Sequence, residues 1–108
     1  MKAISPRKAA GSWVQTERAA HEAWSSLMGQ SPQAARLMHL LVARVGDHNA
    51  VVICHKAPAE LMGVTDRTAR PAVKILQAGN WLEVRQLGDR RTVNAYVLND
   101  RIVWTGPR

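Results

Sequence analysis

Residues 55–76 read His-Lys-Ala-Pro-Ala-Glu-Leu-Met-Gly-Val-Thr-Asp-Arg-Thr-Ala-Arg-Pro-Ala-Val-Lys-Ile-Leu, and they decide the fold. They spell two short helices around a tight turn. The first helix is expected over residues 57–62. Pro58 suits its opening turn, where an amide has no helical acceptor to lose. Ala59 is small where two helices must approach, and Leu61 and Met62 supply apolar contacts. Gly63 stands where the turn needs a positive φ. Val64 plugs the junction, and Thr65 can cap the next helix by accepting from the amide of Arg67 or Thr68. Beyond Thr65 the pattern is amphipathic. Ala69, Ala72, Val73 and Leu76 point one way, while Arg67, Arg70 and Lys74 point the other at spacings of three and four. Pro71 falls at the sixth helical position, lacks an amide and crowds the carbonyl of Arg67, so a kink or loosened first turn is expected there.

Downstream, Gly79-Asn80 closes this helix. Trp81–Leu87 and Thr92–Leu98 each alternate apolar and polar residues around a turn at Gly88-Asp-Arg-Arg91, the pattern of a hairpin. Upstream, Ala50-Val-Val-Ile-Cys54 is a β-branched run that reads as a short strand, with Cys54 expected in the core. Ser31-Pro32 starts a helix by capping chemistry, and Ala34, Leu37, Met38, Leu41, Val42 and Val45 carry it to about Gly46-Asp47. A further helix is expected over residues 16–28, capped by Thr16, with Ala20, Ala23, Trp24, Leu27 and Met28 on one face and Gly29 as its stop. The order α, α, β, α, α, β, β predicts an α+β chain. It is the layout of a winged helix-turn-helix: a three-helix core, a small three-stranded antiparallel sheet and an extra N-terminal helix. Residues 1–30 then form an arm and helix, with residues 1–14 loosely ordered. Residues 31–106 form the main domain, and the apolar residues of the tail around Trp104 are expected to pack.

The chain has 108 residues, 46% of them hydrophobic, and a formal charge of +7. One small domain with one core is expected, and the charge favours polyanionic partners. Cys54 is the single cysteine, so no intrachain disulfide forms and a reducing cytosol fits. No apolar run of about 18 residues exists to span a bilayer. Lys2, Arg7 and Lys8 precede no apolar segment of the kind a secretory signal needs. Location in the bacterial cytosol, on nucleoid or plasmid, is the expectation. His48, Cys54 and His55 match no zinc spacing, and no cofactor is expected. No catalytic triad, phosphate loop or paired-carboxylate pattern occurs, so no enzyme is expected.

A basic helical face starting just after a cap is what a major-groove reader requires. Arg67 or Arg70 can pair with guanine O6 and N7. Asp66 can accept from a cytosine amine or simply complement the helix dipole. Thr65 and Thr68 can meet phosphate or a thymine methyl, and Lys56 and Lys74 add charge. At the hairpin, Arg85, Gln86, Arg90 and Arg91 cluster around Gly88-Asp89, a tip that can lie beside the minor groove or along the DNA backbone. The plain alternatives are a solvated helix face and a charged edge that discourages strand pairing. Apolar residues in both terminal segments suggest a homodimer through the N-terminal helix and tail. Its two reading helices would meet half-sites about one DNA turn apart.

Several segments carry a family resemblance. They are the helix Ala34–Val45, the strand Val51–Ile53, Ala59-Glu-Leu-Met-Gly-Val-Thr65, Ala72-Val-Lys-Ile-Leu76, Gly79-Asn-Trp-Leu82, Asn94-Ala-Tyr-Val-Leu-Asn99 and Trp104-Thr-Gly106. Together, from about Gln33 to Gly106, the chain resembles winged-helix domains of RepL-type plasmid replication proteins and, more broadly, of small bacterial transcriptional regulators. The resemblance implies double-stranded DNA as partner. It gives the reading role to Thr65, Asp66, Arg67, Thr68, Arg70 and Lys74, and the wing role to Arg85, Arg90 and Arg91. Pro71 departs from the pattern. The expected function is site-specific DNA binding as a repressor or a plasmid replication or maintenance regulator. The alternatives are a replication initiator, a nonspecific nucleoid-type binder, and a protein-interaction module that leaves the basic face idle.

Overall fold

A computed structural model describes residues 13–88 and 92–105. In chain order these form β1 (Gln15–Thr16), α1 (Arg18–Gln30), α2 (Pro32–Val42), a 3-10 turn (Asp47–Asn49), β2 (Ala50–Cys54), α3 (Ala57–Met62), α4 (Asp66–Ala78), β3 (Leu82–Leu87), β4 (Val93–Leu98) and β5 (Val103–Trp104). One antiparallel sheet has the order β2-β4-β3, and a separate ribbon pairs β1 with β5. The described chain is therefore α+β, with four helices and two small antiparallel sheets.

The core forms around α2. Ser31 caps it, its Oγ accepting from the Ala34 amide at 3.2 Å, and Pro32 opens the first turn. Leu37, Met38 and Leu41 are wholly buried between α1, α4 and the sheet. Helix α1 joins the same core through Trp24, whose indole nitrogen donates to the Ala35 carbonyl at 3.3 Å and whose ring meets Trp81 edge-on. Arg36, on the outer side of α2, donates to the Met62 carbonyl at 2.6 Å and so places a cation at the end of α3. The tail packs as expected: Val103 is fully buried and its strand is hydrogen-bonded to β1. The loop before β2 turns through left-handed backbone at His48 and Asn49. The Asn49 amide then donates to the carbonyls of Leu98 (3.0 Å) and Val103 (2.8 Å), joining sheet to ribbon.

Five local expectations need correction. Thr16 does not cap α1. It lies in β1, opposite Val103, and Glu17 stands at the cap position without a side-chain bond. Gly29 lies inside α1, which runs on to Gln30, since nothing before the Ser31 cap forces a stop. Helix α2 ends at Val42 rather than near Gly46. Cys54 is exposed, because strand alternation turns Val51 and Ile53 inward and leaves Val52 and Cys54 outside. Helix α4 runs unbroken through Pro71. The proline sits on the exposed side, where its ring displaces no core side chain, and its missing amide leaves the Arg67 carbonyl without its intrahelical donor.

Candidate nucleic-acid interface

The turn between α3 and α4 is built as its residues dictate. Gly63 adopts φ +67°, and the Val64 amide returns to the Ala59 carbonyl at 3.0 Å. Thr65 has extended backbone, and its Oγ1 accepts from the Thr68 amide at 3.3 Å. The hydroxyls of Thr65 and Thr68 also lie 3.1 Å apart, so the two threonines constrain each other at the head of α4. Asp66 occupies the first turn, where its charge complements the helix dipole.

Ala69, Ala72 and Leu76 bury one side of α4. Arg67, Arg70, Pro71, Lys74 and Gln77 are exposed on the other. The basic residues are not equivalent. Asp66 Oδ2 lies 2.7 Å from Arg70 Nε, one helical turn away. Both side chains are substantially exposed, so the pair orients Arg70 more than it stabilises the helix. Arg70 also lines a groove of about 580 Å³ between α4 and the sheet, whose walls include His55, Gln77, Gln86, Asn94 and Tyr96. His55 is fixed at one end, with its backbone amide bonded to the Thr92 carbonyl at 2.9 Å. Burial raises the Tyr96 phenol above its ordinary pKa, against a hydrogen bond from Asn94 that pulls it down, so at neutral pH the hydroxyl stays protonated. The Asn94 Oδ1 is buried without a hydrogen-bond partner.

The structure thus brings Asp66, Arg67, Thr68, Arg70 and Lys74 onto one helix with Thr65 as its cap, and places Lys56 exposed at the head of α3, beside His55. It does not bring Arg85 to them. In β3, Leu82, Val84 and Gln86 face α4 and the core, while Glu83, Arg85 and Leu87 face away. Arg85 instead pairs with Glu83 at 3.3 Å on the far face of the sheet. Arg90 and Arg91 lie outside the described residues. From the sequence, Gln77, His55, Asn94 and Tyr96 took no groove role, and Gln86 fell with the hairpin-tip arginines rather than with the groove. Gln77 was discoverable as the position seven residues beyond Arg70 on the same helical stripe. Strict alternation after Leu82 and Val84 puts Gln86 on the groove face and separates it from Arg85.

No family model, curated protein or solved structure matches the chain. Among the described residues no cluster of three or more His, Cys, Asp or Glu is placed to hold a metal ion. No helix among them is long and apolar enough to cross a membrane.

Proposed function

We propose that the protein is a winged helix-turn-helix protein that binds specific sites on double-stranded DNA, with α4 in the major groove and the β3–β4 hairpin as the wing. One observation carries the reading: a capped helix whose exposed side holds Arg67, Arg70 and Lys74, standing beside an antiparallel hairpin across an open groove. A duplex major groove admits a helix of this kind, with N-terminal side chains against base edges and flanking groups on phosphate. The formal charge of +7 supplies the sequence-independent attraction. In this reading, occupancy of an operator-like site is the output, as in a repressor or a regulator of plasmid replication or maintenance. Two copies would act together. The exposed Met28 beside an apolar groove with Pro32, Ala35 and Leu40 supports a self-association face on α1 and α2.

Selection of bound duplexes from a random pool at moderate salt tests the reading. Enrichment of a defined motif is expected, as an inverted repeat for the dimer. Retained DNA without a motif would reduce the protein to a nonspecific binder. A second reading, the protein-interaction module, is favoured by the exposed apolar Val52 and Leu87 on the outer sheet face. It predicts that no duplex is retained at all.

A further inference from the structure

We propose that Arg70 is a backbone clamp and not a base reader: it grips a phosphodiester in the groove between α4 and the β3–β4 hairpin, leaving the reading of bases to Arg67. This division of labour rests on the DNA-binding reading above and refines it.

The first argument is angular. Residues advance about 100° around a helix, so Arg67 and Lys74, two turns apart, share one line opposite the buried Ala69, Ala72 and Leu76. Arg70 is rotated by about 60° from that line, toward the sheet. It is the basic residue of α4 that lines the groove, and Arg67 and Lys74 do not line it.

The second argument is chemical. Around Arg70 the groove offers the carboxamides of Gln77, Gln86 and Asn94 and the ring of His55. The Asp66 carboxylate also lines the groove but is paired with Arg70, so one guanidinium with Nη atoms to spare stands among polar side chains, an arrangement that suits a singly charged group with two acceptor oxygens, the description of a phosphodiester. Base edges differ from pair to pair and would not be met by one fixed set of donors.

The third argument is the state of the side chains. Arg70 is held through Nε by Asp66, which leaves the terminal Nη atoms to point at a ligand. The Asp66 charge is matched by the same contact. A guanidinium oriented in this way fits the backbone, whose position is nearly the same at every sequence. The Arg67 side chain makes no hydrogen bond or ion pair with the described residues, so it keeps the rotamer freedom that reading a particular base edge uses.

The test compares Arg70→Ala, Arg70→Lys, Arg67→Ala and Arg67→Lys, each checked for folding by circular dichroism. Fluorescence anisotropy reads their affinity for the selected duplex, and for duplexes with one base pair changed, over a series of salt concentrations. Arg70→Ala is expected to weaken all duplexes by a similar factor and to make the slope of log K against log salt shallower by about one. Arg70→Lys should recover part of that loss, again equally on all duplexes, because a point charge still meets a phosphate but without the Asp66 contact or the two-oxygen fit. Arg67→Ala and Arg67→Lys should both flatten the preference at a defined base pair by about ten-fold or more. If instead Arg70→Ala and Arg70→Lys both flatten one base position while the salt slope stays put, the division is overturned and DNA reading survives. If the unaltered protein prefers no duplex, the reading itself fails and takes the division with it.

Discussion

The imidazole of His39 lies almost parallel to the indole of Trp24, with ring centroids 4.2 Å apart and planes inclined by 14°. Trp24 in turn meets Trp81 edge-on at 5.3 Å, so a partly covered histidine on α2 is coupled to the tryptophan that opens the hairpin. Burial lowers the His39 pKa from its ordinary value, and the nearby His21 lowers it further. A histidine whose folded-state pKa is depressed binds fewer protons in the native state than in the unfolded one. Its contribution is present above the unfolded value of about 6.5 and is lost as pH falls through the folded value. The urea midpoint should therefore fall between pH 7 and pH 5 more steeply for the natural protein than for His39→Gln. Identical pH profiles for the two proteins would refute the assignment.

Gly79 is needed for its lack of a side chain more than for its backbone angles. A Cβ there would meet Trp81 Cδ1 at 2.9 Å and the Ile75 carbonyl at 3.3 Å. Trp81 is nearly buried against Trp24, so its ring has little room to yield. Gly79→Ala should destabilise the fold by about 1–3 kcal/mol through overpacking, read by urea denaturation together with a shift in tryptophan emission. The left-handed residue that ends α4 is the neighbouring Asn80, at φ +65°.

Pro71 is tolerated within α4, not required by it. Pro71→Ala restores one intrahelical hydrogen bond on an exposed face and should stabilise the protein by about 1–2 kcal/mol, after allowing for the freedom that alanine adds to the unfolded chain. For a domain of this size that is a rise of roughly 5 °C or more in thermal midpoint. An unchanged or lower midpoint would mean that the proline makes a contribution beyond the helix backbone.

Asn49 joins two parts of the fold with one amide, and its own carbonyl oxygen is buried without a partner. Asn49→Ala loses both bonds and the residue type that best tolerates φ +57°, but also removes the orphaned oxygen. The expected net cost is about 1–3 kcal/mol. Asn49→Asp should cost more, since it sets a carboxylate against the carbonyls of Leu98 and Val103. Hydrogen exchange at the Glu17 amide, which bonds the Ile102 carbonyl at 2.9 Å, should quicken in both variants as the ribbon loosens.

Elements fixed by neighbouring residues were legible in the sequence. The Ser31 and Thr65 caps, the Gly63 turn, the span of β2 and the inward stripe of α4 are all local chemistry, and all appear as read. Thr16 was misread because its partner, Val103, lies at the far end of the chain, and a threonine before a helical run looks like a cap until that pairing is known. The exposure of Cys54 depended on which side of a uniformly apolar strand the core would occupy, and no pattern within Ala50–Cys54 states that. The placement of Arg85 on the outer sheet face is legible in the alternation of β3. Closeness in sequence groups Arg85 with Gln86, while the alternation of β3 puts them on opposite faces of the sheet. The groove was harder to foresee, since its walls come from α4, β3, β4 and the start of α3.

The ribbon of Gln15–Thr16 with Val103–Trp104 has a mechanical consequence. In its antiparallel register Gln15 faces Trp104, so the two ends of the described body leave it side by side. Tension applied across those ends would load the Gln15–Trp104 pair first and the Thr16–Val103 pair next, peeling the ribbon open like a zip one rung at a time, where a shearing geometry would make all the rungs share the load. A body tethered in this way is guarded by a latch whose inner rung is anchored in the core. The latch would open at its outer Gln15–Trp104 rung and then stop against Val103, whose side chain is sunk in the core and whose carbonyl is held by Asn49.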